Sequence, residues 1–237
     1  MKLFSLVILQ ARMSSTRLPG KVMRDINGKP MIYWQIERIK KSKSVDKLIV
    51  ATSIDKSDDI LAEFLKTNKV QVYRGELQDV LSRYLKIEES SKPTAIIRLT
   101  GDCPFVMPEL IDEMLAKFYD INVDYLSNTL ELSYPDGLDV EIIAPGVLMR
   151  LLEFGLSDEE REHVTLGIYS RKSTFKTYNV SNKTNISNFR WTVDTFDDLA
   201  FVKSVFTHFK SKEINFTFED MLKFVEDNPK LNRIMTR

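Results

Sequence analysis

The sequence predicts an α/β protein built on a parallel sheet covered by helices, and three observations carry that reading. Short apolar runs alternate with amphipathic stretches through the first half of the chain, as strand and helix units do. The 237 residues, near 27.5 kDa, fit one large core better than two complete ones, since single cores commonly reach about 250 residues. With 43% apolar and 29% charged residues, the composition is that of an ordinary globular protein, neither disordered nor fibrous.

Leu3 to Leu9 reads as a strand buried on both faces, and Lys29-Pro30 then opens a helix in which Ile32, Ile36 and Ile39 recur at helical spacing. Lys47 to Thr52 is the second strand. Ser57 is placed to cap the next helix, where Ile60, Leu61, Phe64 and Leu65 form one apolar stripe. Val70 to Tyr73 is a short third strand. A helix from about Leu77 to Glu89 presents Leu77, Val80, Leu81, Tyr84 and Leu85, and Pro93 separates it from the strand Ala95 to Leu99.

The second half is less regular. Pro108 begins a helix with Leu110, Ile111, Met114, Leu115 and Phe118 on one side, followed by a short strand at Val123 to Leu126. Leu138-Asp139-Val140-Glu141-Ile142 has strict period two, which puts Asp139 and Glu141 on one face of a strand and the apolar residues on the other. A solvated face is the plain reading of that pair. Pro135, Gly137, Pro145 and Gly146 surround the segment, so it reads as an excursion from the main sheet. Arg161 to Ser170 reads as helical, Phe175 to Val180 as extended, Ser181 to Asn188 as a surface loop and Phe189 to Val193 as a further strand. Thr195-Phe196-Asp197-Asp198 is a capping box before Leu199, Val202 and Val205, which marks another helix.

Charge and cysteine content narrow the function. Lys plus Arg and Asp plus Glu are each 34, so no global basic field attracts nucleic acid, and any bound anion must meet local cations. The single cysteine, Cys103, excludes an internal disulfide framework and suits a reducing cytoplasm. No apolar stretch approaches the roughly 18 residues that span a bilayer. Gln10 and Arg12 follow the first apolar run where a secretory signal needs apolar and small residues, so the expected location is the cytoplasm, with no membrane partner.

Directly after the first strand, Gln10 to Lys21 holds three cations, three hydroxyls and no acid. A loop at the carboxyl end of a parallel strand lies where open α/β sheets bind ligands, and Arg, Lys, hydroxyl and amide donors suit polyphosphate. An exposed, solvated basic loop is the alternative. The pattern is neither G-x-x-x-x-G-K-[ST] nor G-x-G-x-x-G, which counts against a P-loop ATPase and a dinucleotide dehydrogenase. Asp102 and Asp194 each follow an expected strand, on the ligand-binding edge of one sheet. One or two carboxylates suffice to hold Mg2+ when substrate phosphates supply further oxygens. The competing readings are a turn before Pro104 for Asp102 and a helix cap for Asp194.

The segment Leu9-Gln10-Ala11-Arg12-Met13-Ser14-Ser15-Thr16-Arg17-Leu18-Pro19-Gly20-Lys21, with Gly28-Lys29-Pro30-Met31 after it, closely resembles the opening of the cytidylyltransferases that make CMP-activated sugar acids. The branch it is most similar to is the spore-coat polysaccharide biosynthesis cytidylyltransferases, related to the CMP-acylneuraminate and CMP-Kdo synthetases. Arg74-Gly75, Asp79-Val80-Leu81, Arg98-Leu99-Thr100-Gly101-Asp102-Cys103-Pro104, Asp136-Gly137-Leu138-Asp139-Val140-Glu141, Arg161-Glu162-His163-Val164-Thr165 and Trp191-Thr192-Val193-Asp194 continue the likeness in order.

That resemblance implies a single Rossmann-like nucleotidyltransferase domain over 1–237, with 128–170 as the acceptor-site and dimerisation excursion carrying a protruding hairpin. It implies CTP as donor, a divalent cation, normally Mg2+, a small acidic or phosphorylated acceptor, and a homodimer. Nucleotide binding would fall to Leu9, Gln10, Ala11, Arg12, Met13, Arg17, Lys21, Arg74, Thr100 and Asp102, with Arg12, Lys21 and Asp102 catalytic and Asp102 and Asp194 on the metal. Arg74 has a rival reading as an end-of-strand ion pair with Glu76 or Asp79. Asp136, Asp139, Glu141, Glu162 and His163 would border the acceptor. A metal-bound hydroxyl, an acid of the 136–141 segment or His163 could each serve as general base. Thr100-Gly101-Asp102-Cys103-Pro104 departs from the Gln-Gly-Asp-Glu-Pro element of CMP-Kdo synthetases, so the acceptor is less specified than the nucleotide. Two rivals are a glycosyltransferase, which would use an Asp-x-Asp element that the sequence lacks, and a noncatalytic nucleotide-binding protein, which would not need both Asp102 and Asp194. Cys103 reads as a bystander.

Overall fold

The computed structural model describes residues 2–212 and 214–231. The strands are β1 (Ser5–Gln10), β2 (Asp25–Ile26), β3 (Lys29–Pro30), β4 (Lys47–Ser53), β5 (Gln71–Gly75), β6 (Ala95–Thr100), β7 (Tyr125–Ser127), β8 (Glu141–Ile143) and β9 (Thr177–Asn179). The helices are α1 (Met31–Ile39), α2 (Asp59–Thr67), α3 (Val80–Ser91), α4 (Pro108–Asp120), α5 (Val147–Leu151), α6 (Asp158–His163), α7 (Leu166–Tyr169), α8 (Phe196–His208) and α9 (Phe218–Asp227).

Seven strands form the main sheet in the order β5-β4-β1-β6-β8-β7-β9, and β2 pairs with β3 in a small ribbon. β1 pairs in parallel with β4 on one side and β6 on the other, with Gln10 opposite Ala51 and Thr100. The chain steps outward from β1 through β4 to β5, then crosses to the far side for β6. Loops leaving β1 and β6 therefore diverge, and the crevice outside their carboxyl ends is where such sheets take ligands. The fold is the mostly parallel, helix-covered α/β sheet that the strand and helix alternation predicts.

Burial explains the element choices. Leu6, Val7, Ile8 and Leu9 are fully buried because β1 is covered on both faces. Val7 and Leu9 join the core with Ile32, Leu61, Ile111 and Val202, while Leu6 and Ile8 pack with Leu81, Tyr84 and Leu148. Thr195 caps α8 in the expected capping box, and Thr217 and Ser157 do the same for α9 and α6. Among the described residues, no helix is long and apolar enough to cross a membrane.

Several expected elements are corrected. The 138–142 segment is no excursion at its end: β8 lies inside the main sheet, antiparallel to both β6 and β7. Strict period two marks a strand but does not say which neighbours it pairs with. Leu138, Val140 and Ile142 are buried as the alternation requires, but Glu141 is buried too, on a face that is not solvated. Phe189 to Val193 makes only an isolated bridge, Asp136 to Arg190, in place of a strand. The helix expected over 161–170 is two short ones, α6 and α7, divided at Val164, whose φ is +54°. Asp79 caps α3, which begins at Val80 and not near Leu77. Asp55, not Ser57, provides the side-chain cap before α2: its carboxylate accepts from the Ser57 N–H.

Candidate active site

The centre of the crevice is an ammonium between two carboxylates. Lys21 Nζ donates to Asp102 Oδ2 at 2.9 Å, to Asp194 Oδ1 at 3.0 Å and to the Val193 carbonyl at 2.9 Å. Lys21 comes from the loop after β1 and Asp102 from the turn after β6, while Asp194 precedes α8, so three distant segments converge. Val193 N–H donates to the Asp102 carbonyl and ties the last two together. Arg17 pairs with Asp194 Oδ1 at 2.9 Å, and Arg190 reaches Asp194 Oδ2 and, at 2.8 Å, Asp136 Oδ2. Burial works against the charge on Lys21, but Asp102 and Asp194 outweigh it and hold its pKa above the usual value. For Asp102 burial acts upward, and the adjacent Lys21 ammonium overcomes it to leave the carboxyl below its ordinary range.

Close backbone approach builds this end of the sheet. Gly101 N–H donates to the Gln10 carbonyl at 2.7 Å, and a Cβ on Gly101 would stand 2.9 Å from the Ala11 Cβ, so the chain after β6 can lie this close only without a side chain there. Asp58, fully buried, anchors the basic loop from below. It accepts from the Met13 N–H at 2.6 Å, from Thr52 Oγ1 at 2.9 Å, and from the N–H and hydroxyl of Ser53. Gln35 donates to the Thr100 carbonyl at 2.8 Å and fixes the end of β6.

Two adjoining cavities open here. The first, about 360 Å3, is lined by Gln10 to Arg12, Ser14 to Arg17, Lys21 and Val22 of the loop after β1, and by Gly101, Asp102 and Asp194. A second, of about 400 Å3, is lined by Thr129, Asp139, Glu141, Thr165, Tyr169 and Lys172. Arg98, Thr100 and His163 line both. Each is large enough for part of a small-molecule ligand.

Of the expected site residues, Gln10, Ala11, Arg12, Arg17, Lys21, Thr100, Asp102 and Asp194 share the first cavity, and Asp139, Glu141 and His163 border the second. Others do not. Leu9 has no exposed surface and its side chain belongs to the core. Met13 packs against that core while its N–H goes to Asp58. Arg74 is outside both cavities, donating to the Ser53 and Asp55 carbonyls and pairing with Asp59 at 2.7 Å, not with Glu76 or Asp79. It is held there because β5 lies beside β4 and brings the 53–59 turn within reach. Asp136 is turned to Arg190, and Glu162 to Arg12 at 2.8 Å. Glu141 accepts from Tyr125, Thr165 and Arg98, so its oxygens serve the wall of the cavity.

Sequence reasoning missed Arg98, Lys172 and Asp58. An arginine inside the apolar run Ala95 to Leu99 was a usable signal for Arg98, since a charge in a buried strand demands a partner. Asp58 and Lys172 carried no such mark. Cys103 is buried, and burial first, then Asp102 and Asp139, push its thiol well above the ordinary value, so it stays protonated and is no nucleophile.

The two carboxylates around Lys21 are hard oxygen donors that suit a hard divalent cation. No group of three or more His, Cys, Asp or Glu that could hold a metal occurs among the described residues, so the remaining ligands would have to be water and phosphate oxygens.

A family model described as cytidylyltransferase matches residues 6–231. The spore coat polysaccharide biosynthesis protein SpsF of Bacillus subtilis is 36% identical over 208 residues, covering 85% of each chain. A solved cytidylyltransferase of Leptospira borgpetersenii superposes with a TM-score of 0.93 at 31% identity, covering 100% of this chain and 99% of that one. The structure of a CMP:2-keto-3-deoxy-manno-octonic acid synthetase complexed with CTP shares the fold, with a TM-score of 0.66 at 18% identity over 86% of this chain and 99% of that one.

Proposed function

The chain belongs to the cytidylyltransferase family, whose members are nucleotidyltransferases, and from that premise we propose that it transfers CMP from CTP to an acidic sugar of the nonulosonate type, releasing pyrophosphate, in the making of a surface polysaccharide or glycan. The observation that carries this reading is the Lys21 ammonium seated between Asp102 and Asp194 in the wall of the first of two adjoining cavities. CTP is the nucleotide bound in the CMP:2-keto-3-deoxy-manno-octonic acid synthetase structure, and polysaccharide biosynthesis is the process named for the Bacillus relative.

In this reading an acceptor oxygen attacks the α-phosphorus and the pyrophosphate leaves. Negative charge grows on the nonbridging and leaving oxygens, so preorganised cations are what the reaction needs. Arg12, Arg17 and Lys21 orient the triphosphate and neutralise that charge. Asp102 and Asp194 would hold Mg2+, which supplies Lewis-acid charge stabilisation when bound. No protein nucleophile is required. Lys172 brings an ammonium to the lining of the second cavity, suited to an acidic acceptor. Lys172 has no acidic side chain in ion-pair contact among the described residues, and a free ammonium also suits a phosphorylated acceptor, which is the second reading. The proposed assembly is a homodimer, which elution as a strict monomer at micromolar concentration would contradict.

The test is a panel of the four nucleoside triphosphates with Mg2+, supplied with 3-deoxy-manno-octulosonate, N-acetylneuraminate and a hexose 1-phosphate, read by pyrophosphate release. CTP with an acidic sugar is the expected productive pair. Release of a free nucleoside diphosphate would indicate glycosyl transfer, and metal-dependent CTP binding without turnover would indicate a noncatalytic role.

A further inference from the structure

Among the described residues, every carboxylate around the two cavities except one is neutralised by a basic side chain. Asp102 is held by Lys21, Asp194 by Lys21, Arg17 and Arg190, Asp136 by Arg190, Glu162 by Arg12, and Glu141 by Arg98. Asp139 has no cation within ion-pair distance among the described residues. It lines the second cavity beside Thr100, which also lines the first, so it stands on the acceptor side of the junction. An acid or base must be close, rigid and unengaged to move a proton.

The backbone supplies the rigidity. Asn128, itself buried, donates from Nδ2 to the Leu138 carbonyl at 2.9 Å and accepts the Val140 N–H on Oδ1 at 2.9 Å, clamping the chain on both sides of Asp139. Leu138 N–H donates to the Pro135 carbonyl, and both flanking apolar side chains are buried. His163, the rival base, is exposed, sits at the end of the six-residue α6 and precedes the positive-φ Val164. Among the described residues no hydrogen bond orients its ring, so neither nitrogen is fixed as the acceptor.

We propose that Asp139 is the general base of the transfer reaction. The proposal rests on the cytidylyltransfer reading above. The acceptor O–H gives its proton to the Asp139 carboxylate as the oxygen's electron pair forms the bond to the α-phosphorus. The bond from that phosphorus to the pyrophosphate oxygen breaks, and its electron pair leaves with pyrophosphate. Asp139 then returns the proton to water. Asp136 and Glu141 on its own segment, and Asp102 and Cys103 after β6, surround it, while Arg98, His163, Tyr169 and Lys172 line the same cavity. Burial first, and then the Asp136 and Glu141 charges, push the Asp139 pKa up to about 7, in the range that suits a base at neutral pH.

The test measures pyrophosphate release from CTP and Mg2+ between pH 5 and 9 for wild type, D139N and D139E. The acceptors are the two sugar acids named above, whose attacking hydroxyl carries the proton, and, separately, water alone at high enzyme concentration. In whichever reaction turns over, wild-type activity is expected to rise with pH up to about 7 and then level off. D139N is expected to lose about 10²- to 10⁴-fold in kcat and the whole acid limb, with CTP affinity unchanged, and D139E to recover part of both. A D139N enzyme that binds CTP normally and keeps wild-type kcat, or an acid limb that persists in D139N and vanishes in H163N, overturns the proposal and leaves the transfer reading standing. A wild-type enzyme that binds CTP but turns over with none of the acceptors, water included, overturns the transfer reading and the base with it.

Discussion

The Lys21 ammonium donates to Asp102 at 2.9 Å although the two residues lie 81 positions apart. The pair joins the loop after β1 to the turn after β6, and its stability contribution has a defined pH dependence. The Asp102 carboxyl titrates below its ordinary range in the folded chain. A depressed acid contributes stability that is full above the unfolded value and is lost as pH falls through the folded one. The wild type should therefore melt at a higher temperature than D102N at pH 7 in the absence of divalent cations. That gap should close as the pH is taken below about 4, the range of an unperturbed aspartate. Thermal unfolding by circular dichroism at several pH values measures it, and a gap independent of pH contradicts the pairing.

Asp139 carries the opposite sign. Its pKa is raised to about 7, so the folded state holds the proton more tightly than the unfolded chain, and stability is given up as pH rises from about 4 to 7. D139N removes that cost and should be more stable than wild type at pH 8, by up to about 4 kcal/mol, with the two converging near pH 4. Urea denaturation at the two pH values decides. A stability gain from a substitution that also costs turnover is the expected pattern for a strained functional group.

Gly137 has φ of +106°, and a Cβ placed on it would stand 2.6 Å from the backbone of Trp191 and Thr192. Both contacts are to main chain and cannot swing aside. G137A should lose about 3 kcal/mol or more and should loosen the Asp136 to Arg190 bridge beside it. Denaturant midpoints test the first part; an unchanged midpoint would contradict the close approach.

Asp58 collects donors from both Ser53 groups, Thr52 and the Met13 N–H. D58A leaves those buried donors unpaired, at a cost of about 2–4 kcal/mol, and frees the basic loop. KM for CTP is expected to rise more than kcat falls, since the role proposed for the loop is to position triphosphate and not the acceptor. Steady-state kinetics separate the two, and a pure kcat effect would place Asp58 elsewhere in the mechanism.

How far the site was legible in the sequence follows from what fixes each part. Local chemistry marked the capping box at Thr195, the buried first strand and the basic loop, because propensity and periodicity act within a few residues. Lys21, Asp102 and Asp194 were reached through motif likeness, and their shared contact depends on the strand order, which no local pattern encodes. Arg74 was misplaced for the same reason: only the pairing of β5 with β4 sets it against Asp59. The period-two run around Asp139 announced a strand but not its position inside the main sheet. Its burial, and the buried ion pair of Glu141 with Arg98, are tertiary facts.

The most direct measurement of the central claim is pyrophosphate release from CTP by K21A and D102A, each checked for a folded circular dichroism spectrum. Both variants should fall by orders of magnitude, about 10²-fold or more, because each removes charge stabilisation where the triphosphate reacts. Folded variants that both turn over at near wild-type rates would contradict the assignment of Lys21 and Asp102 to the reacting site.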